Sequence, residues 1–116
     1  MLNPQDGCQI DKQVSGEFHI VRLIGEINLR NSPDVREYLL ALLHEKPRQL
    51  IIDLEKVNYM DSSGVGTLVE LKRRIEQGGA RFSLAAMQPR VKNLFQMTKL
   101  DLFFRIFDSV DEARQP

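Results

Sequence analysis

A single cysteine, Cys8, occurs in the 116 residues of this chain, so no internal disulfide can form, which fits a reducing compartment. Net charge is also missing. Lys and Arg together number 16, as do Asp and Glu. No long-range field draws the protein to nucleic acid or anionic lipid, and any partner surface has to be local. No apolar run approaches the ~18 residues that a membrane span requires. The opening Met1-Leu2-Asn3-Pro4-Gln5-Asp6-Gly7 lacks the basic and apolar regions of a signal peptide. These absences predict a cytoplasmic protein with no membrane contact.

What is present suits one domain. Apolar residues make up 42% and charged residues 28% of the chain, enough to bury a single core. Residues 1–8 read as a flexible tail ahead of a domain over 9–116. Ile10–Val14 and Glu17–Ile24, joined by Ser15-Gly16, predict an antiparallel hairpin at a sheet edge. Gly25 is expected to end the second strand, and 26–31 to form a loop. Ser32-Pro33-Asp34 opens a helix with Ser32 as N-cap, and Val35, Leu39, Leu42 and Leu43 form its apolar face. Leu50–Leu54 predicts a core strand. A second helix starts near Ser63 and ends at Gly78-Gly79. Its apolar residues Val65, Leu68, Val69, Leu71 and Ile75 span roughly 160° of the helical wheel. A strand over 81–86, a helix from Pro89, a strand over 103–107 and a short helix capped by Ser109 complete the chain. The order is β-β-α-β-α-β-α-β-α. It predicts an α/β fold with a mixed, mainly parallel sheet and an antiparallel N-terminal edge hairpin.

Strand parity adds a further expectation. Arg22, Asp53, Arg81 and Ser83 share one parity, and Val21, Leu23, Ile52, Leu54, Phe82 and Leu84 the other. A sheet covered on both faces would carry continuous apolar runs. Helices should therefore pack mainly on one face, leaving the other partly wet, with Arg22 and Asp53 paired across it. His19 breaks this pattern, and Ile20 and Ile51 leave apolar area on the wetter face.

The stretch Val57-Asn58-Tyr59-Met60-Asp61-Ser62-Ser63-Gly64-Val65-Gly66-Thr67 joins the core strand to an amphipathic helix. Sites in open α/β sheets lie at such strand ends, and a helix N-terminus suits an anion. Asp61, Ser62 and Ser63 equally suit plain capping. A serine hydrolase elbow needs G-x-S-x-G and a positioned histidine, and a P-loop needs a lysine after its second glycine. Neither pattern is present, which argues against both enzyme readings.

Asp61-Ser62-Ser63-Gly64-Val65-Gly66 after Leu50-Ile51-Ile52-Asp53-Leu54 resembles the signature of the anti-sigma factor antagonist family, the bacterial STAS domains. Gly25-Glu26-Ile27-Asn28 is similar to the family's Gly-Glu-hydrophobic-Asp loop, and Val91–Met97 to its third-helix motif. The resemblance implies partner switching. The unmodified antagonist binds an anti-sigma factor that is also a serine kinase. The kinase uses ATP to phosphorylate the first serine of Asp-Ser-Ser-Gly, here Ser62, and a metal-dependent serine phosphatase reverses the reaction. The nucleotide belongs to the kinase, so the resemblance implies no catalytic residue, metal or cofactor in this chain. Glu26, Asn28, Asp61, Ser62, Ser63 and Gly64 would form the partner surface of a monomer or weak dimer that contacts no nucleic acid directly. An interaction module in another bacterial signalling or lipid-transport complex is the alternative. Asn28 stands where the family usually has Asp, in a loop expected beside the serine. Lys99 stands where related chains often have Gly, which predicts a left-handed backbone there.

Other residues carry plainer readings. His19 reads as a satisfied strand histidine and His44 as a surface one. Cys8 falls in the expected tail. Lys72-Arg73-Arg74 reads as a solvated helix face, or the rim of the partner surface. Met60 and Met97 read as core.

Overall fold

The computed structural model describes residues 7–115. Five strands form one sheet in the order β1 (Cys8–Ser15), β2 (Phe18–Ile27), β3 (Gln49–Met60), β4 (Arg81–Ala85) and β5 (Ile106–Phe107). β1 and β2 are an antiparallel hairpin, and every later pairing is parallel. The helices are α1 (Ser32–Ala41), α2 (Ser62–Gln77), α3 (Pro89–Met97) and α4 (Val110–Ala113).

The strand order never reverses, so right-handed crossovers place α1, α2 and α3 on the same face. Val35 and Leu39 of α1, Leu68 and Leu71 of α2, and Val91 and Phe95 of α3 meet Val21, Leu23, Ile52, Leu54, Phe82 and Leu84 there. The opposite face is only partly covered. Ala113 and Val110 of α4 close over Ile20, Ile51 and Ala85, which accounts for the apolar residues on that side. Beyond α4, Arg22 and Asp53 sit in register, with Arg22 Nε 3.3 Å from Asp53 Oδ2. The other oxygen, Oδ1, accepts from Glu55 N at 3.0 Å, where an irregularity breaks the ladder between β2 and β3.

Several expectations need correction. Residues 1–6 of the expected tail, and Pro116 at the end of the expected domain, lie outside the described residues. Cys8 belongs to no tail; it begins β1 and is 1% exposed, and burial pushes its thiol pKa up. Gly25 does not end β2. At φ +110 it lets the chain pass Gly7, whose carbonyl oxygen would lie 2.3 Å from a Cβ and accepts from Glu26 N at 2.8 Å. Glu26 and Ile27 are thus strand residues. Asn31 occupies the N-cap of α1, and Ser32 is its first helical residue. The expected strand over 103–107 shrinks to Ile106–Phe107, because Leu100–Leu102 forms a 3₁₀ turn and Phe104 turns into the core. Met60 is core, but Met97 is 74% exposed at the end of α3. His19 is not satisfied. Its Nε2 lies 3.3 Å from Glu45 Oε1, while buried Nδ1 has no hydrogen-bond partner among the described residues, since its parity turns it toward the core.

Lys99 takes φ 61, as expected from the Gly that related chains often have at this position. A side chain in this region costs about 1–2 kcal/mol. Glycine's extra freedom when unfolded returns about 0.5–1 kcal/mol of that. Lys99→Gly should therefore stabilise the protein by about 0.5–1 kcal/mol in urea denaturation; lower stability would contradict a strained Lys99.

Candidate functional site

β3 outruns β4. β4 pairs only with Gln49–Asp53, whereas β2 stays paired with β3 as far as Met60. The end of β3 and the start of α2 therefore stand clear of the sheet's other edge, which exposes the stretch singled out in the sequence.

Asp61 organises this point. It is the N-cap of α2 in extended conformation, and its Oδ1 accepts from Ser63 N (2.9 Å) and Ser63 Oγ (2.5 Å). Its Oδ2 accepts from Leu29 N at 3.0 Å, and its own N donates to Ile27 O at 3.1 Å. The cap thus ties α2 to the loop after β2. Partial desolvation acts to raise the Asp61 pKa, but the donors from Ser63, Leu29 and Gly64 outweigh it and hold the carboxyl below its usual value. A carboxyl depressed in the folded state stabilises fully above its unfolded pKa, and this contribution is lost as pH falls through the lower folded pKa. Asp61→Ala should cost about 1–2 kcal/mol in denaturation at neutral pH. The difference from the parent should shrink in acid below the ordinary carboxylate range. A difference that stays constant into that range would count against the cap.

The loop from Glu26 to Asn31 is held by two asparagines. Asn28 Oδ1 accepts from Arg30 N (2.9 Å) and Asn31 N (3.2 Å). Asn31 Oδ1 accepts from Asn28 N (2.9 Å), and its Nδ2 donates to Glu26 O (2.9 Å). Asn31 is buried and was not among the residues read from the sequence as a site. The Asn-x-x-Asn spacing, suited to side chain–backbone turns, was the available signal. An Asp at position 28 could accept the same two bonds, so the Asn keeps the turn while removing a charge.

Ser62 is the first residue of α2, not outside it as the sequence suggested, and it is exposed. Its hydroxyl engages no described residue, whereas the Ser63 hydroxyl donates to Asp61. Gly64 is buried against Met60 and Ile27. Glu26 is exposed at the end of β2, and Leu29 beside Asp61 is 77% exposed. The structure thus brings Asn28, Asp61, Ser62, Ser63 and Gly64 together, with Glu26 at the near edge. His19 and His44 lie elsewhere. His19 pairs in register with Leu50 near the start of β3, and His44 is in the 3₁₀ turn after α1. No serine–histidine arrangement forms at Ser62 among the described residues.

The sequence matches the family described as STAS domain over residues 9–113. The chain belongs to the STAS domain family. A relative of this STAS domain, an anti-sigma-B factor antagonist of Staphylococcus aureus, is 28% identical over 91 residues, covering 78% of this chain and 84% of the relative. The unphosphorylated form of the anti-sigma factor antagonist SpoIIAA superposes with a TM-score of 0.74 at 27% identity, covering 91% of each chain. An anti-sigma factor antagonist from Mycobacterium paratuberculosis shares the fold, with a TM-score of 0.86 at 23% identity, over 97% of this chain and 95% of that one. No described helix of this STAS domain is long and apolar enough to cross a membrane.

Proposed function

We propose that this STAS domain is an anti-sigma factor antagonist that works by partner switching. Unmodified, it binds an anti-sigma factor that is also a serine kinase. Phosphorylation of Ser62 by that kinase releases it, and a serine phosphatase restores the binding form. Glu26, Asn28, Asp61, Ser62 and Ser63 form the contact surface, with the exposed Leu29 as its apolar anchor and the buried Gly64 seating the start of α2 beneath it. The names of the relatives support the regulatory role, and the observation that carries the site is the contrast between the two serines. Ser62 offers an unengaged hydroxyl at an exposed helix N-terminus, where the dipole favours an added anion. Ser63 has its hydroxyl committed to Asp61, and a phosphate there would face that carboxylate.

Incubation with the cognate kinase and ATP, followed by mass spectrometry, tests the assignment. The phosphate should map to Ser62 and disappear in Ser62→Ala. Modification of Ser63 alone would overturn it.

A further inference from the structure

A second feature lies at the opposite end of the sheet from Ser62. The 16 residues of α2 place its two ends about 24 Å apart. Near its C-terminus a cleft of about 800 Å³ opens between that end, the 3₁₀ turn after α1, and the starts of β3 and β4. Its wall carries four cations, Lys46, Arg48, Arg74 and Arg81, against one carboxylate, Glu17. In a chain of zero net charge this is a local concentration of one sign.

These cations are poorly neutralised. Arg48 reaches Glu17 only at 3.8 Å, with both side chains largely exposed. Arg74 shares Glu70 with Arg36. Lys46 and Arg81 have no carboxylate partner among the described residues. Their backbones are nevertheless fixed. Arg81 N donates to Arg48 O at 3.0 Å, and Lys46 N to Leu43 O at 3.1 Å. Lys46 is also held at φ 49, where a chain needing only a turn favours Gly or Asn. Leu43, Ile75 and Ala80 add apolar wall.

We propose that this cleft binds a small, multiply charged phosphate compound. The volume lies in the range of small-molecule sites. Guanidinium forks match phosphate oxygens, and the fixed backbone limits the entropy lost on binding. A multiply charged ligand relieves mutual repulsion among cations that Glu17, and a Glu70 shared with Arg36, balance only in part. The site is independent of Ser62.

Sodium tripolyphosphate is a suitable probe, titrated into the whole chain at low salt and followed by calorimetry and amide NMR. Saturable binding is expected, with shifts centred on residues 46–49 and 74–81 and affinity falling as salt rises. The exposed triple variant Lys46→Gln, Arg48→Gln, Arg81→Gln should bind about tenfold or more weakly. It should keep the parent's NMR spectrum away from the cleft. Ser62→Ala should bind as the parent does. Absence of saturable binding, shifts centred on Ser62–Gly64, or undiminished affinity in a folded triple variant would overturn the proposal. So would binding to vesicles containing phosphatidic acid without binding to soluble tripolyphosphate.

Discussion

Ser62→Asp is expected to weaken binding to the anti-sigma factor by about a hundredfold or more, while the amide spectrum changes only near the start of α2. The first turn of α2 is already well bonded. Ser63 N is held by the Asp61 carboxylate, and Gly64 N and Val65 N donate to Asp61 O. A phosphate on Ser62 is therefore accommodated by exposure and by the helix dipole more than by unoccupied N–H groups. Asp61 adds a like charge next door, which solvent screens at this exposed position. The free protein thus has little reason to rearrange. A bound partner lacks this freedom, because it has to desolvate the new charge, and an unmatched buried charge costs several kcal/mol. About 3 kcal/mol already exceeds a hundredfold in affinity. Ser62→Ala should keep binding. Shifts spreading across the sheet on phosphorylation, or affinity untouched by it, would refute switching at the interface.

Gly64→Ala should destabilise the fold by about 1–3 kcal/mol, the usual cost of overpacking a fitted core. A Cβ there would lie 2.7 Å from Met60 Cγ and 2.8 Å from Ile27 Cγ2. Both side chains are buried, and their strands are joined by the Asp61 N to Ile27 O bond. Relief would require the start of α2 to retreat, which loosens the Asp61 cap. Gly66→Ala is the internal control. Among the described residues nothing beyond the adjoining residues and the local backbone of α2 lies within 4 Å of a Cβ at position 66, so the helix should gain up to about 1 kcal/mol. Urea denaturation of the two variants measures both. Equal stability of Gly64→Ala and the parent would show that this approach is not a tight one.

Periodicity was informative wherever burial repeats with the period of the element. The apolar faces of α1 and α2 and the polar parity holding Arg22 and Asp53 were legible on that basis, the hairpin from its two-residue turn, and the left-handed backbone at Lys99 only from the resemblance to chains with Gly there. The reading failed where a long-range contact overrode a local preference. Gly25 looked like a strand end because glycine usually weakens strands, yet it stays in β2 where Gly7 passes too close for a side chain. Cys8 looked like tail because its neighbours are polar, and its burial depends on pairing with Gly25.

The candidate site divides in the same way. The types and order of residues determined by themselves that a small-residue turn leads from a strand into an amphipathic helix, with Asp61 ahead of it as a cap. Which serine is available was decided only by the fold. Asp61 needs donors on both oxygens, Ser63 supplies its backbone and hydroxyl to one, and Leu29, 32 residues earlier, supplies the other. The basic cleft shows the same division. Lys46 and Arg48 are separated from Arg74 and Arg81 along the chain, and only the parallel register of β3 with β4, and the return of α2 between them, bring the four charges to one wall. Local preferences act over a few residues, whereas these juxtapositions exist only after crossover connections have closed.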